Sequence, residues 1–276
     1  MNALSTLLHI DAAATFNKTS AWVRDMAAEQ NAPGLIMGLS GTDSIVSFLA
    51  CAKAFNELGK PGRVVGVHYG AAYPPADRTA ESLAQAISIS PSFRWFPRVI
   101  LPWLQNAAPN AQILHDSDIG QYEHELHWAN LFKRSLDGVM RREAMPDNHG
   151  YWIVGTRNAT ENAIGAYSNL SKSASVEPII DLYKSDILKI CDELGVPKIA
   201  AQQSRQVDCD CGRFDIAADN IEGVDAVLKH RRGLITDQQL ANAIEPELLS
   251  KLNAFVDDQI RYAGFKKRIP YAPIPV

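Results

Sequence analysis

Two short polar loops contain the residues of this sequence that could bind phosphate. The first is Ser40-Gly41-Thr42-Asp43-Ser44, and the second is Gly155-Thr156-Arg157-Asn158-Ala159-Thr160-Glu161. Small residues in the first loop let backbone N–H groups approach an anion, and the start of a following helix adds partial positive charge. An acidic residue repels bare phosphate, so Asp43 makes chemical sense there if it helps to hold Mg²⁺ or accepts hydrogen bonds from loop amides. The first loop is therefore a candidate phosphate site.

Both loops also have a purely structural explanation. Asp43 or Ser44 could simply cap the helix that follows. Asn158, with Glu161 three residues later, matches a helix capping box. The residue types alone leave both explanations open. The positions of the loops favour a site, because each follows a predicted buried strand, and the carboxyl ends of strands in one sheet face the same crevice.

The elements that must position these loops alternate between strands and helices. Short apolar runs bounded by turn residues predict buried strands, and apolar residues at helical spacing predict amphipathic helices. The predicted strands are 35–39, 63–69, 98–101 and 151–154, and the predicted helices are 11–30, 45–55, 77–89, 124–144, 181–194 and 237–263. This alternation predicts an α/β, Rossmann-like fold with an open, mostly parallel sheet sandwiched by helices. Without an internal repeat or a linker-like stretch, we expect a single domain over 1–276.

Composition and charge exclude several other classes of protein. The chain has 276 residues, of which 46% are hydrophobic and 21% are charged, as in ordinary globular proteins. A net charge of −4 gives no general attraction to nucleic acid or to an anionic membrane. No run reaches the roughly 18–20 apolar residues of a membrane helix, and four cysteines are too few for a disulfide scaffold. We therefore expect a cytoplasmic protein that binds neither nucleic acid nor a membrane.

Several motifs, read in chain order, resemble the NAD synthetase family. This family belongs to the N-type ATP pyrophosphatases, which have the adenine nucleotide alpha hydrolase-like fold. The motifs lie at 38–44, which resembles a pyrophosphate loop, and at 154–161, 177–185, 194–197, 219–228 and 265–270. The similarity extends from about residue 20 to about residue 270, and the GTRNATE and PIIDLYKS segments are its most specific parts.

The resemblance implies a C–N ligase that uses ATP and Mg²⁺ to convert deamido-NAD into NAD. It places ATP at Ser40, Gly41, Thr42, Asp43, Ser44, Thr156, Lys184 and Ser204, the dinucleotide at Asn130, Arg134 and Asn158, and Mg²⁺ at Asp43 and Glu161. Asp43 and Lys184 are the implied catalytic residues. The resemblance also implies a homodimer. Since the similar region spans nearly the whole chain, we expect the nitrogen to come from free ammonia or from ammonia made by a separate partner, rather than from a glutaminase domain.

The sequence departs from the family pattern at four places, one of which is the short loop before Asp208, where little more than Gln203-Ser204 remains of the family motif. The Ser40–Ser44 loop is one residue shorter, the stretch 167–172 replaces a loop that bears glycine and aspartate, and Arg134 is the one arginine kept from a motif with two. These departures leave two alternatives open. One is a ligase of the same superfamily that acts on another carboxylate, and the other is a nucleotide-binding homologue without catalysis.

Overall fold

The computed structural model describes residues 3–69, 96–116, 151–167, 169–203 and 219–267. Four parallel strands form one sheet in these residues, in the order β3-β2-β1-β4. The strands are β1 (Leu35–Gly38), β2 (Val64–Tyr69), β3 (Gln112–Asp116) and β4 (Trp152–Ile153). Their register aligns Leu35 with both Val64 and Trp152, and Val65 with Gln112. The α/β fold with a parallel sheet is confirmed.

Ten α-helices surround this sheet in the described part of the chain. They are α1 (Ala3–Leu7), α2 (Ala12–Glu29), α3 (Thr42–Glu57), α4 (Leu101–Ala107), α5 (Ala159–Ile164), α6 (Lys184–Glu193), α7 (Lys198–Gln203), α8 (Ile221–Arg231), α9 (Asp237–Ala243) and α10 (Pro246–Tyr262). None of the described helices is both long and apolar enough to cross a membrane.

The strand order places the two polar loops next to each other, because they follow the neighbouring strands β1 and β4. From β1 the chain moves outward through β2 and β3, and it then returns to form β4 on the other side of β1. In open parallel sheets, ligands bind at the carboxyl ends of the strands where the order reverses in this way. The loops that follow β1 and β4 flank that point.

Three hydrophobic clusters support the described part of the fold; the smallest consists of the strand residues Ile36, Val65, Val67 and Ile153, and the other two involve the helices. The larger one packs α2, α3 and α6 around β1, with Phe48 and Phe55 fully buried. The second joins α1, α5, α8, α9 and α10 through residues such as Val227, Leu252 and Val256. Helix α8 belongs to the second cluster and also contacts α6 of the first, so it connects these two parts of the core.

The predicted strand 98–101 is wrong. These residues belong to a π-helical turn (Phe96–Ile100) that continues into α4. Phe96, Ile100 and Leu104 are fully buried, whereas Arg98 and Pro102, which would share their face in a strand, are exposed, so the burial pattern is that of a helix. The third strand is instead Gln112–Asp116, whose sequence QILHD contains too few apolar residues to be recognised.

Three of the predicted helices are confirmed, one is divided in two, and two lie outside the described residues. The predicted helix 237–263 is divided at Ile244 and Glu245, because Pro246 starts a new helix at a position where its missing N–H has no cost. The predicted helices 11–30, 45–55 and 181–194 are confirmed, with different ends. The predicted helices 77–89 and 124–144 lie outside the described residues.

Candidate functional site

The Asp43 carboxylate is the meeting point of three chain segments. Asp43 lies in the first turn of α3, where the partial positive charge of the helix N-terminus favours a carboxylate. Its Oδ2 is paired with the Lys184 ammonium from the start of α6. Its Oδ1 accepts a hydrogen bond of 2.6 Å from the Asn158 side-chain amide, in the loop after β4. Lys184 also donates to the Thr42 hydroxyl at 2.9 Å.

In the loop after β1, the backbone amides converge on one hydroxyl of the protein itself. Ser44 Oγ accepts hydrogen bonds from the N–H groups of Ser40 (2.9 Å) and Gly41 (3.0 Å), and it donates to the Gly41 carbonyl oxygen (2.8 Å). The N-cap of α3 is Gly41 and not Asp43 or Ser44, and Ser44, at the third helical position, supplies the returning half of a capping box by accepting from the Gly41 N–H. The loop also presents two N–H groups at a single point, which is the arrangement that an anion requires.

In the loop after β4, Asn158 has both of the roles considered from the sequence. Its Oδ1 accepts from the Glu161 N–H at 2.8 Å, and Glu161 Oε2 accepts from the Asn158 N–H at 3.2 Å, so the capping box is confirmed. The other end of the same fully buried amide binds Asp43. Thr156 is partly exposed in this loop. A Cβ at Gly155 would lie 2.9 Å from the Ala174 Cβ, so only glycine fits there.

Lys184 is held as a cation within the site. Its side chain is 13% exposed, as is that of Asp43. Burial lowers the pKa of Lys184, but the nearby carboxylates of Asp43 and Glu161 raise it by more, so the pKa lies above its ordinary value. The ammonium is therefore charged at neutral pH and available to neutralise an anion.

Beneath the site lies a fully buried carboxylate that the sequence reasoning missed. Asp225 of α8 accepts hydrogen bonds from the Thr160 hydroxyl (2.6 Å) and the Ser185 N–H (2.7 Å). Burial raises the pKa of Asp225 to about 6, although both hydrogen bonds favour the ionised form. The available signal was an acid within the apolar run Val224-Asp225-Ala226-Val227-Leu228.

The structure brings together most of the described candidates. Asp43, Asn158, Glu161, Lys184 and Thr42 are linked by the contacts given above. Ser40, Gly41 and Ser44 form the adjoining amide cradle, and Thr156 lies in the loop that carries Asn158. The remaining candidates, Asn130, Arg134 and Ser204, lie outside the described residues.

The carboxylates of the site could hold a metal only with help from other ligands. Among the described residues, no three His, Cys, Asp or Glu side chains form a group that could hold a metal ion. Asp43 and Glu161 both contact Asn158, so two carboxylates are present at this end of the sheet. Mg²⁺ is ordinarily bound by one or two carboxylates together with water and substrate phosphate oxygens, so this pair fits it.

The fold and the site define an α/β protein whose polar and charged side chains converge at the carboxyl ends of its parallel strands, where ligands bind in such sheets. A family model described as NAD synthase matches residues 15–270, and the chain belongs to that family.

Two similar proteins are both named NH(3)-dependent NAD(+) synthetase. The one from Methanosarcina mazei is 26% identical over 250 residues, which cover 88% of each chain. The one from Thermotoga neapolitana is 27% identical over 235 residues, which cover 73% of this chain and 78% of the relative.

Two solved structures share the fold at low sequence identity. An NH3-dependent NAD synthetase from Campylobacter jejuni has a TM-score of 0.53 and 15% identity, covering 96% of this chain and 100% of its own. An NMN synthetase from Francisella tularensis has a TM-score of 0.55 and 17% identity, and the match covers 96% of this chain and 99% of the neighbour's chain.

Proposed function

We propose that this chain is an ammonia-dependent C–N ligase that makes NAD from deamido-NAD, acting as one domain over 1–276. The nicotinate carboxylate attacks the α-phosphorus of ATP, which gives an acyl adenylate and releases pyrophosphate. Ammonia then attacks the acyl carbon, so that AMP leaves with the bridging oxygen and the amide remains. The supporting observation is the convergence of Asp43, Asn158 and Lys184 at the strand ends of a family member.

The positive groups of the site suit the pyrophosphate that leaves in the first step. Chemistry of this kind depends mainly on positioning and on neutralising charge. The Lys184 ammonium supplies a point charge, and the Ser40 and Gly41 amides supply a cradle after an anion replaces the Ser44 hydroxyl as their acceptor. Thr156 adds a partly exposed residue with a hydroxyl in the loop after β4.

Asp43 and Glu161 would hold Mg²⁺ through their carboxylate oxygens. When bound, the ion would neutralise phosphate charge and orient the ATP oxygens. Lys184 and Asn158 then have a second task, because they hold the Asp43 carboxylate in place from two sides. The resemblance also implies contact between Asn158 and the dinucleotide, but its side chain is fully buried and bonded at both ends to Asp43 and Glu161, so such a contact would require these bonds to open.

Other parts of the proposal rest on the resemblance alone. Asn130 and Arg134 would bind the dinucleotide, and Ser204 would bind ATP. The protein would act as a homodimer in the cytoplasm, without nucleic acid or a membrane as partner.

The test is a reaction with the purified full-length chain, ATP, Mg²⁺, ammonium and deamido-NAD, followed by chromatography of NAD, AMP and pyrophosphate. We expect the three products in equal amounts, and we expect none without ammonium or with glutamine in its place. A parallel reaction offers nicotinate mononucleotide instead of deamido-NAD. If AMP is released with nicotinate mononucleotide and not with deamido-NAD, the mononucleotide is the substrate. If ATP binds but pyrophosphate is released with neither acid, the chain is a non-catalytic homologue.

Two variants connect the reaction to the site. Glu161→Gln keeps the capping box, because glutamine also serves at that helix position, but it removes the carboxylate. Lys184→Ala removes the ammonium. Both should abolish NAD formation, whereas Lys251→Ala, which removes a lysine that is 61% exposed, should leave the rate unchanged.

A further inference from the structure

We propose that Asp225 is a positioning residue for Lys184, the lysine that bears the ammonium of the site. The inference deepens the proposed function and rests on it. Asp225 lies on α8, away from the strand-end loops, and it is fully buried. It acts on Lys184 through two backbone groups, the N–H of Lys184 itself, which it reaches through Thr160, and the N–H of Ser185.

The hydrogen bonds around Lys184 form a continuous chain to Asp225. The Lys184 N–H donates to the Thr160 hydroxyl at 2.9 Å, and that hydroxyl donates to Asp225 Oδ1 at 2.6 Å. The next residue along, Ser185, donates its N–H to Asp225 Oδ2 at 2.7 Å. Two successive backbone N–H groups of α6 are thereby fixed, one of them through the first turn of α5. Lys184 cannot shift along its helix axis without breaking these bonds.

A carboxylate at this position fixes the direction of every bond in the chain. An ionised carboxylate only accepts hydrogen bonds, so the Thr160 hydroxyl must donate to it. The oxygen of that hydroxyl is then oriented to accept from the Lys184 N–H. An asparagine would present a donor toward Thr160 on one side and would leave the hydroxyl hydrogen without this acceptor. The network therefore depends on the charge as well as on the shape of Asp225.

Burying the Asp225 carboxylate costs free energy, and for that reason acidic side chains are rarely fully buried on a core helix. Burial raises the pKa of Asp225 to about 6, which shows that the ionised form is disfavoured where it lies. The exposure of Thr160 and Ser185 is 2% each, so water gives little compensation. A positioning role explains why α8 carries an acid at this point.

A second contact between α8 and α6 supplies a matched control. One helical turn beyond Asp225, the Lys229 ammonium pairs with Asp186 at 2.8 Å, and Asp186 accepts from the Tyr183 N–H at 3.1 Å. This pair is also largely buried and braces the start of α6. Among the described residues, neither Lys229 nor the Asp186 side chain bonds the backbone N–H of Lys184 or Ser185. Lys229→Met therefore tests bracing alone.

The experiment compares Asp225→Asn, Thr160→Val and Thr160→Ser with Lys229→Met and the wild type. The first readout is the rate at which acetic anhydride labels Lys184 relative to Lys251, measured by mass spectrometry on the full chain. The second is the split between kcat and KM for NAD formation. Thermal unfolding by circular dichroism checks that each variant is folded, and Thr160→Val carries the test if Asp225→Asn does not fold.

We expect Asp225→Asn and Thr160→Val to label Lys184 several-fold faster and to lose about 10–100-fold in kcat, as the loss of a supporting hydrogen-bond partner commonly does. Thr160→Ser should retain both wild-type values, as should Lys229→Met. Unchanged labelling, or an unchanged kcat in an active protein, would overturn the proposal. If the wild type makes no NAD, the proposed function fails while the labelling comparison still judges the position of Lys184.

Discussion

Replacing Lys184 with methionine should reduce both stability and activity. Methionine keeps much of the volume of lysine, so the main loss is the ammonium that pairs with Asp43. Removing one partner of a buried ion pair costs about 3–5 kcal/mol, because the other charge remains buried without compensation. Both side chains keep 13% exposure, and the Asn158 amide still donates to Asp43, so we expect the lower end, about 3 kcal/mol.

A second substitution separates the two effects. In the double variant Asp43→Asn/Lys184→Met no unpaired charge remains, and Asn158 still has an oxygen to which it can donate. We expect urea denaturation to show that most of the lost free energy of unfolding returns. NAD formation should stay at least about 100-fold below the wild type in both variants, because the groups that neutralise phosphate charge are absent.

Two results would refute this reasoning. If Lys184→Met changes the free energy of unfolding by less than about 0.5 kcal/mol, the ion pair contributes nothing in solution. If the double variant regains activity along with stability, the two charges serve the fold and not the reaction.

Three further predictions concern stability, and urea denaturation tests each. Gly165→Ala should cost more than about 2 kcal/mol, because Gly165 has φ +76° and a Cβ there would overlap that of Ala263. Gly233 has a similar φ of +73° but lies in open space, so Gly233→Ala should cost about 1 kcal/mol. Equal costs for the two variants would contradict this. Asn158→Ala should cost about 2 kcal/mol through loss of the cap and of the bond to the site carboxylate, and a neutral result would contradict it. Burial raises the pKa of Asp225 from 3.8 to about 6, so between these pH values the native state holds a proton that the unfolded chain has released. The free energy of unfolding of the wild type should therefore fall by about 3 kcal/mol relative to that of Asp225→Asn as the pH rises from about 4 to about 7. The same pH dependence in both proteins would contradict this.

The features that depend on neighbouring residues could be predicted from the sequence. A buried strand followed by glycine, a hydroxyl and a helix start is a local pattern, and β1 with its loop appears where that pattern predicts. The capping box joins Asn158 and Glu161, which are only three positions apart, and it was also predicted. The strand at 98–101 was not predictable in this way, because a short apolar run has the same composition in a strand and in a buried helix.

The features that depend on distant residues could not be predicted from patterns. Lys184 is 141 positions from Asp43 in the chain, and only the family resemblance suggested that they share a site. Asp225 is 65 positions from Thr160, and no motif within α8 indicates that its carboxylate reaches two other helices. Such contacts follow from how the two larger hydrophobic clusters pack against each other, and that packing becomes visible only in the folded chain.

The central claim is that the substrate carboxylate attacks the α-phosphorus of ATP, and the fate of its oxygen tests this most directly. The reaction is run with deamido-NAD whose nicotinate carboxylate carries the heavy isotope of oxygen, and the products are analysed by mass spectrometry. Because the bridging oxygen of the acyl adenylate leaves with the nucleotide, we predict one labelled oxygen in AMP and none in pyrophosphate. Label in inorganic phosphate together with ADP, or NAD formation with unlabelled AMP, would contradict the account.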